Sequence, residues 1–355
     1  MKGDFRLVTV ISGPLTIKGK QAAVQKEVKE NYESYFAKAA KTRMWFPDKL
    51  KERREMAEYA HLISEESKEI LLGFLGVESY VDDYVFGGIN AAGDSLSTTS
   101  LYIQWGYEER RHGQTFRHCL IDSGLYTQGF VDKYLAEAGE YQWTFETQTG
   151  YEATPLLAAA YAIFQERQTR WNYTHVRRRI WEEYGRPITK NGNPAYPAIA
   201  GALRFPETDE GAHEANFANI VRIYMKYFPD AALEALMQVS SHYRMPVVQL
   251  PNADEFVRCV LSAGMGSAKD VVSEIMNPVI QRMGLADRLA LRKAVKNFRL
   301  LPENAMVHLQ GKPIVGIPEG EDIPIYEMLP SGDFVLSTPQ VEDPTTKQNA
   351  KTSSE

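Results

Sequence analysis

The chain has almost no cysteine. Only Cys119 and Cys259 occur in 355 residues, too few for a disulfide framework or a thiolate zinc site, and both stand in apolar surroundings that suit a small buried hydrophobe. It has no run of 18 or more uncharged apolar residues, so no segment is suited to crossing a membrane. The N-terminus shows no basic, apolar and small-residue succession of a secretory leader. The expected location is the cytoplasm. Positive charge is not in excess either: 40 Lys and Arg stand against 46 Asp and Glu, a formal net charge of -6. That balance excludes a general nucleic-acid binder, whose affinity rests on neutralising phosphates. What remains is an ordinary globular composition, 44% hydrophobic and 24% charged, in a length that suits two average domains or one large one.

Apolar residues recur mainly at helical spacing. Residues 1–20, with the β-branched run from Leu7 to Ile11 ahead of Ser12-Gly13-Pro14, form a loose arm or edge strand. Helical periodicity covers Gln21 to Ala40 and, beyond Pro47, a long segment from Asp48 towards Phe86. Ser97 or Thr98 can cap a helix that carries Trp105, Glu109 and His112 and ends at Ser123-Gly124. Further helices fit Thr127 to Glu146, Leu156 to Tyr184 behind Thr154-Pro155, the stretch from Phe205-Pro206 to Phe228, Pro229 to Met245, and Asp254 to Arg299. Residues 185–206 are rich in Gly, Pro and Asn and form a loop-rich insertion. Val307 to Leu309, Ile314 to Ile317 and Phe334 to Leu336 predict a small β appendage, and the polar end predicts a disordered tail. The chain thus divides into an arm (1–20), a helical domain (21–301), a β-rich appendage (302–340) and a tail (341–355).

Two Glu-x-x-His pairs stand out within the helical part, Glu109 with His112 and Glu210 with His213. Residues three apart on a helix share a face, so each pair can hold one metal ion. Each pair follows a lone glutamate: Glu78, in an apolar run, before the first, and Glu166, in the periodic segment from Leu156 to Tyr184, before the second. A buried carboxylate is costly without a partner, and a metal ion supplies one. Two such glutamates and two such pairs are the ligand set of di-iron and di-manganese centres in ferritin-like four-helix bundles, so the predicted fold is all-α, a ferritin-like four-helix bundle with additional helices. Carboxylate-rich, thiolate-free ligation favours iron or manganese over zinc. Four carboxylates against two divalent ions leave the site near neutral, which makes its burial tolerable. Glu108, Glu214 and Arg110 are expected on solvated faces or around the ligands, and Asp209 can hold an imidazole through its other ring nitrogen. His118 and His175 lack matched partners and suit surface or core roles. Trp105, Phe116, Tyr161, Phe164 and Phe217 suit core packing or the lining of an apolar channel.

Three blocks resemble the soluble acyl-carrier-protein desaturases: Glu108-Glu109-Arg110-Arg111-His112-Gly113, Phe164-Gln165-Glu166-Arg167-Gln168-Thr169, and Asp209-Glu210-Gly211-Ala212-His213-Glu214. The similarity runs from about Glu65 to Pro246. It implies that Glu109, His112, Glu166, Glu210 and His213 bind iron, that Glu78 takes the first ligand position with Glu66 and Glu69 as the other carboxylates within reach, and that Thr169 stands beside the oxygen-binding face. It further implies a centre of two irons, dioxygen as co-substrate, an acyl chain on acyl carrier protein, a ferredoxin-like electron donor and a homodimer. Gly211-Ala212 replaces the basic pair usual in the family's last block, and the 185–206 insertion lies near the site, so both bear on the substrate. An acidic carrier would need a basic dock, for which Arg177-Arg178-Arg179 and the Lys38 to Arg54 segment are the candidates. A hydroxylase or N-oxygenase with the same centre is the alternative activity, because one scaffold supports several oxidations.

Overall fold

The computed structural model describes residues 16–93, 95–247, 249–303, 305–309 and 324–337. The expected arm or edge strand around Leu7 to Ile11, the Ile314 to Ile317 strand and the polar tail lie outside those residues. The principal helices are α1 (Ile17–Thr42), α2 (Glu65–Val77), α3 (Val81–Ala92), α4 (Leu96–Ile121), α5 (Gln128–Ala138), α6 (Pro155–Glu183), α7 (Arg204–Tyr227), α8 (Pro229–His242), α9 (Ala253–Ser262) and α10 (Arg288–Phe298). Among the described residues the protein is all-α apart from one small sheet.

Local chemistry explains where the long helices begin. Thr154 caps α6 by accepting from the Leu157 amide at 3.1 Å, with Pro155 in the first turn, where its missing N–H costs nothing. Helix α4 is capped by Ser95 rather than Ser97 or Thr98. Helix α7 starts at Arg204, so Pro206 sits inside its first turn instead of ahead of it.

Elsewhere the structure divides what periodicity alone joins. The segment from Asp48 is a series of short 3₁₀ and α turns up to Leu62, and Ser64 then caps α2 by accepting from the Ser67 amide at 3.2 Å. Glu78 does not sit within a helix: it opens a 3₁₀ turn, Glu78–Tyr80, that joins α2 to α3. Helix α5 stops at Ala138, and a separate short helix spans Phe145–Thr149. The Asp254 to Arg299 region breaks where Gly264 and Gly284 adopt positive φ (73° and 90°), which ends a helical run at little steric cost. A π-helical turn, Val271–Met276, lies between those breaks.

Helices α6 and α7 pack along each other, α3 pairs with α4, and α2 also packs on α4. Helix α1 lies over α4 and α7, while α8 joins α6 and α7 to α10. Phe116, Phe164, Tyr173 and Phe217 are fully buried between these helices, and burying a side chain of this size stabilises the fold by about 1.5–3 kcal/mol. The bundle is held by this aromatic interior, and its four central elements (α2 with its 3₁₀ turn, α4, α6 and α7) carry the charged residues inward. At the C-terminal end, β1 (Met306–His308), β2 (Ile325–Met328) and β3 (Phe334–Leu336) form a sheet of that order, parallel between β1 and β2 and antiparallel between β2 and β3. β1 and β3 match the expected appendage; β2 had no counterpart in the sequence analysis.

Candidate metal centre

The inward faces of the four elements bring six side chains together. Glu78, Glu109, His112 and Glu210 each offer one ligand atom, and those atoms all lie within 4.8 Å of one another. Glu109, Glu166, Glu210 and His213 do the same. Glu109 and Glu210 belong to both groups, so the arrangement is two adjacent sites with two shared carboxylates. All six residues are buried, Glu210 at 0% exposure.

Each imidazole turns Nδ1 into the cluster. His112 Nδ1 is 3.1 Å from Glu109 Oε2 and 3.4 Å from Glu210 Oε1. His213 Nδ1 is 2.8 Å from Glu109 Oε1 and 3.1 Å from Glu166 Oε2. The outer nitrogens meet a second pair of carboxylates. His213 Nε2 donates to Glu108 Oε2 at 2.8 Å, and His112 Nε2 stands 3.5 Å from Asp209 Oδ2. A proton held on Nε2 leaves the Nδ1 lone pair free for a cation.

These outer carboxylates are themselves held. Asp209 Oδ2 accepts from Trp45 Nε1 and from Arg111 Nη2, each at 2.9 Å, and Arg43 stands 3.5 Å from Oδ1. Glu108 accepts from Tyr35, from Gln104 at 2.8 Å and from Arg43 at 3.3 Å. Its hydrogen bond from His213 and the neighbouring Arg43 charge hold the Glu108 carboxyl well below the usual range despite its burial. Glu108 is therefore no solvated residue. Glu214 is not solvated either: it is buried among Arg167, Arg170 and Arg282 at 3.9, 3.6 and 3.2 Å, an ion-pair brace between α6, α7 and the Asn277–Arg282 helix. Arg110 is exposed, 3.6 Å from Asp82.

The cluster in its bare form must take up protons. Burial, then repulsion from Glu109, pushes the Glu78 and Glu166 carboxyls well above the ordinary range. Glu210 moves down despite its burial, because the neighbouring Glu166 carboxyl and the His112 charge favour its ionised form. Burial opposes charge on both imidazoles but is outweighed, by Glu109 and Glu210 at His112 and by Tyr35 and Glu109 at His213, so both are raised. Both oxygens of Glu210 and Oε1 of Glu166 are buried with no hydrogen-bond partner, an expensive arrangement unless a cation satisfies them. The donor set is hard oxygen with one imidazole nitrogen per half, and it fits a pair of divalent metal ions.

Other residues singled out in the sequence resolve as follows. Glu66 pairs with Arg179 and Glu69 accepts from Tyr126, so neither competes with Glu78 within the cluster. The Glu78 carboxylate accepts from the buried Tyr173 hydroxyl, a partner that sequence spacing did not single out. Thr169 is buried one turn beyond Glu166, but its hydroxyl donates to the carbonyls of Gln165 and Glu166 at 3.1 and 3.2 Å. His118 pairs with Asp48, and His175 bonds the Trp171 carbonyl. Trp105, Phe116, Tyr161, Phe164 and Phe217 are all core residues. The crossed contacts from Glu108 and Asp209 had one sequence signal: in both pairs the residue just before the glutamate is acidic.

The fold and the site together define a class, an all-α protein of ferritin-like plan with a buried carboxylate–histidine centre. The sequence model described as fatty acid desaturase matches residues 91–301, more than half of the chain, and the protein belongs to that family, as an oxidoreductase of the acyl-carrier-protein desaturase type that its three sequence blocks resemble. No curated protein sequence matches the chain. Among solved structures, it is similar to a protein described as the acyl-ACP desaturase DesA2 of Mycobacterium tuberculosis, with 15% identity and a TM-score of 0.46 over 73% of this chain and 94% of that one. It is also similar to two point variants of an R2-like ligand-binding oxidase with an aerobically reconstituted Mn/Fe cofactor. Both are 15% identical, with TM-scores of 0.44 and 0.40, over 72% of this chain and 92% and 90% of theirs. Among the described residues no helix is long and apolar enough to cross a membrane.

Proposed function

We propose that the protein is a di-iron, dioxygen-dependent desaturase that introduces a double bond into a fatty acyl chain carried on acyl carrier protein. The observation that carries this reading is the pair of four-residue sites sharing Glu109 and Glu210, in a chain of the fatty acid desaturase family. Glu78 and His112 would hold one metal ion, Glu166 and His213 the other, and Glu109 and Glu210 would serve both. Iron is the proposed metal, with manganese compatible with the same donors. When bound, the metal pair supplies dioxygen reduction and removal of hydrogen from an unactivated C–H pair. In balance, a CH₂–CH₂ unit loses two hydrogens, two further electrons and two protons arrive from outside, and dioxygen leaves as two waters.

The protein's own share is positional. Glu108 holds the His213 imidazole with Nδ1 inward, Asp209 stands 3.5 Å from the outer nitrogen of His112, and Tyr173 holds the Glu78 carboxylate. Phe74 and Phe116 pack on Tyr173, with ring centroids 5.2 and 5.1 Å away, and exclude water beside Glu78. Thr169 is proposed to act at the oxygen side, for which its hydroxyl must turn away from the carbonyls it now bonds. A ferredoxin-like donor would supply the electrons. The homodimer would use the exposed stripe of Leu96, Ile103 and Tyr107 on α4, because apolar residues repeated along one helix face favour burial against a second helix.

The test supplies the purified iron-loaded protein with an acyl carrier protein substrate, reductant and ¹⁸O₂. A product two hydrogens lighter and free of label is the expected result. Label in the product identifies a hydroxylase or N-oxygenase instead, and no acyl product at all overturns the substrate class.

A further inference from the structure

The crossed carboxylates Asp209 and Glu108 are each met by the same three kinds of partner. Asp209 stands 3.5 Å from the outer nitrogen of His112 and accepts from Arg111 Nη2 and Trp45 Nε1, each at 2.9 Å. Glu108 accepts from the outer nitrogen of His213 at 2.8 Å, from Arg43 Nη1 at 3.3 Å and from the Tyr35 hydroxyl. The guanidinium carbon of Arg111 lies 4.7 Å from the Trp45 ring centroid, and that of Arg43 lies 4.7 Å from the Tyr35 ring centroid. Each carboxylate therefore takes one imidazole, one arginine and one aromatic donor, with the arginine laid over the aromatic. Each arginine also stands further from the opposite carboxylate, Arg43 at 3.5 Å from Asp209 and Arg111 at 4.0 Å from Glu108. All four charged side chains are buried, and their formal charges cancel.

The two arginines have different origins. Arg111 belongs to the first Glu-x-x-His block, one residue before its histidine and three after Glu108, and it reaches across to the carboxylate of the other block. The matching position in the second block, one residue before His213 and three after Asp209, is Ala212. Residues three apart share a helix face, so a long basic side chain at this position would stand beside Asp209 and reach across to Glu108, as Arg111 does in the opposite sense. Alanine cannot. The charge comes instead from Arg43, the residue after α1, whose amide bonds the Ala39 carbonyl at 2.9 Å and whose carbonyl accepts from Arg111 at 3.1 Å. Helix α1 carries none of the six candidate ligands. Without Arg43, two buried carboxylates would share Arg111 alone, and one negative charge would go uncompensated.

We infer that Arg43 stands in for the arginine missing at position 212, so that the chain end of α1 completes the His213 half of the metal centre from outside the four ligand-bearing elements. Arg43 is a positioning residue: it holds Glu108, and Glu108 holds the His213 ring with Nδ1 toward the metal site. This rests on the metal pair proposed above. It makes the halves unequal in origin, because the arginine serving His112 lies within that histidine's own helix and the arginine serving His213 does not.

The experiment moves the charge from one position to the other in the full-length protein. Wild type, Arg43→Met, Ala212→Arg, the double variant Arg43→Met with Ala212→Arg, and Arg43→Met with Ala212→Met are compared by anaerobic competition for iron(II) with a chelator and, metal-free, by denaturant unfolding. Arg43→Met should lower metal affinity by about 10–100-fold. Adding Ala212→Arg should recover about tenfold or more of that loss, whereas adding Ala212→Met should recover none. In the metal-free protein Ala212→Arg alone, which crowds a second cation onto a carboxylate already paired, should lower the unfolding midpoint, and the same substitution should raise it in the Arg43→Met background. This reversal of sign marks two positions that serve one carboxylate; an arginine that only fastens α1 to the bundle would not produce it. If Arg43→Met does not fold, Arg43→Lys, which keeps the charge and loses the planar fork, should show a smaller loss. Unchanged affinity in Arg43→Met overturns the proposal, as does a loss that Ala212→Arg leaves in place or an unfolding midpoint that Ala212→Arg moves in the same direction in both backgrounds. Failure of the metal reading looks different: a wild type that binds no metal pair, with the reversal of sign intact, would keep the role of Arg43 at Glu108 and remove the metal centre.

Discussion

The two halves of the centre are built from the same pieces and differ in how each is supported. In both, a Glu-x-x-His pair is preceded by an acidic residue, and that residue reaches across to the other half's imidazole: Glu108 of α4 to His213, Asp209 of α7 to His112. The lone glutamates are unlike. Glu166 is held within the continuous helix α6 and leaves Oε1 unpartnered, while Glu78 opens a 3₁₀ turn and is tied by Tyr173. The crossed carboxylates set each imidazole against the opposite pair-bearing helix, through a hydrogen bond at His213 and a 3.5 Å charge contact at His112. The halves differ at the outer nitrogens, where His213 hydrogen-bonds Glu108 at 2.8 Å and His112 stands 3.5 Å from Asp209, and at Glu78 and Glu166, where one ligand stands on a rigid helix and its counterpart on a tighter turn that a hydrogen bond fixes.

Removing a ligand from either half should have the largest effect. Glu166→Ala and His213→Ala should each abolish loading of the metal pair while far-ultraviolet circular dichroism still reports a folded bundle; full iron retention in both would contradict the ligand assignment. Next come the crossed supports. Asp209→Asn and Glu108→Gln should each lower metal affinity by about 10–100-fold, measured by competition with a chelator, and comparable losses would show that the halves are equivalent at this layer. A loss in only one would break the comparison. Tyr173→Phe should act on the Glu78 half alone, costing about 1–3 kcal/mol of metal-free stability through the unpaired buried carboxyl, read from denaturant unfolding, with the metal on the Glu166 side retained.

A smaller, graded effect concerns pH. In the metal-free protein Glu78, Glu166, His112 and His213 all have raised pKa values, so the folded state holds more protons than the unfolded chain above the ordinary carboxylate range. Stability should therefore fall as pH rises from about 4.5, and fall further above about 6.5 where unfolded histidines lose their protons. Glu210, shifted down, contributes the opposite slope only below that range. Bound metal displaces these protons, so thermal unfolding followed from pH 5 to 8 should slope downward without metal and lose that slope with it. An identical profile in the two forms would mean that these groups do not hold the metal.

Much of this site was legible in the sequence because its information is local. Glu109 with His112 and Glu210 with His213 are fixed by helical spacing, and a helix presents both members of each pair inward whatever surrounds it. Glu166 was readable for a similar reason, in a long periodic segment with Thr154-Pro155 marking where its helix begins. The break at Ser64 was harder to see, since the apolar periodicity continues across it and a serine that caps looks like one that is simply exposed. Glu78 was placed in the right region but on the wrong element, because the 3₁₀ turn follows from how α2 and α3 pack on α4. The roles of Tyr173 and Glu108 are long-range: 95 residues separate Tyr173 from Glu78, and 105 separate Glu108 from His213. Only the folded chain shows such partners.

The most direct measurement is the iron content of the purified protein, taken with the dioxygen-dependent optical change after anaerobic reduction, in the presence and absence of an acyl carrier protein substrate. Two irons per chain, and a reaction with dioxygen that the acyl substrate accelerates, are the predicted result. A protein that binds one iron or none after reconstitution would contradict the paired centre and return both Glu-x-x-His motifs to a purely structural role.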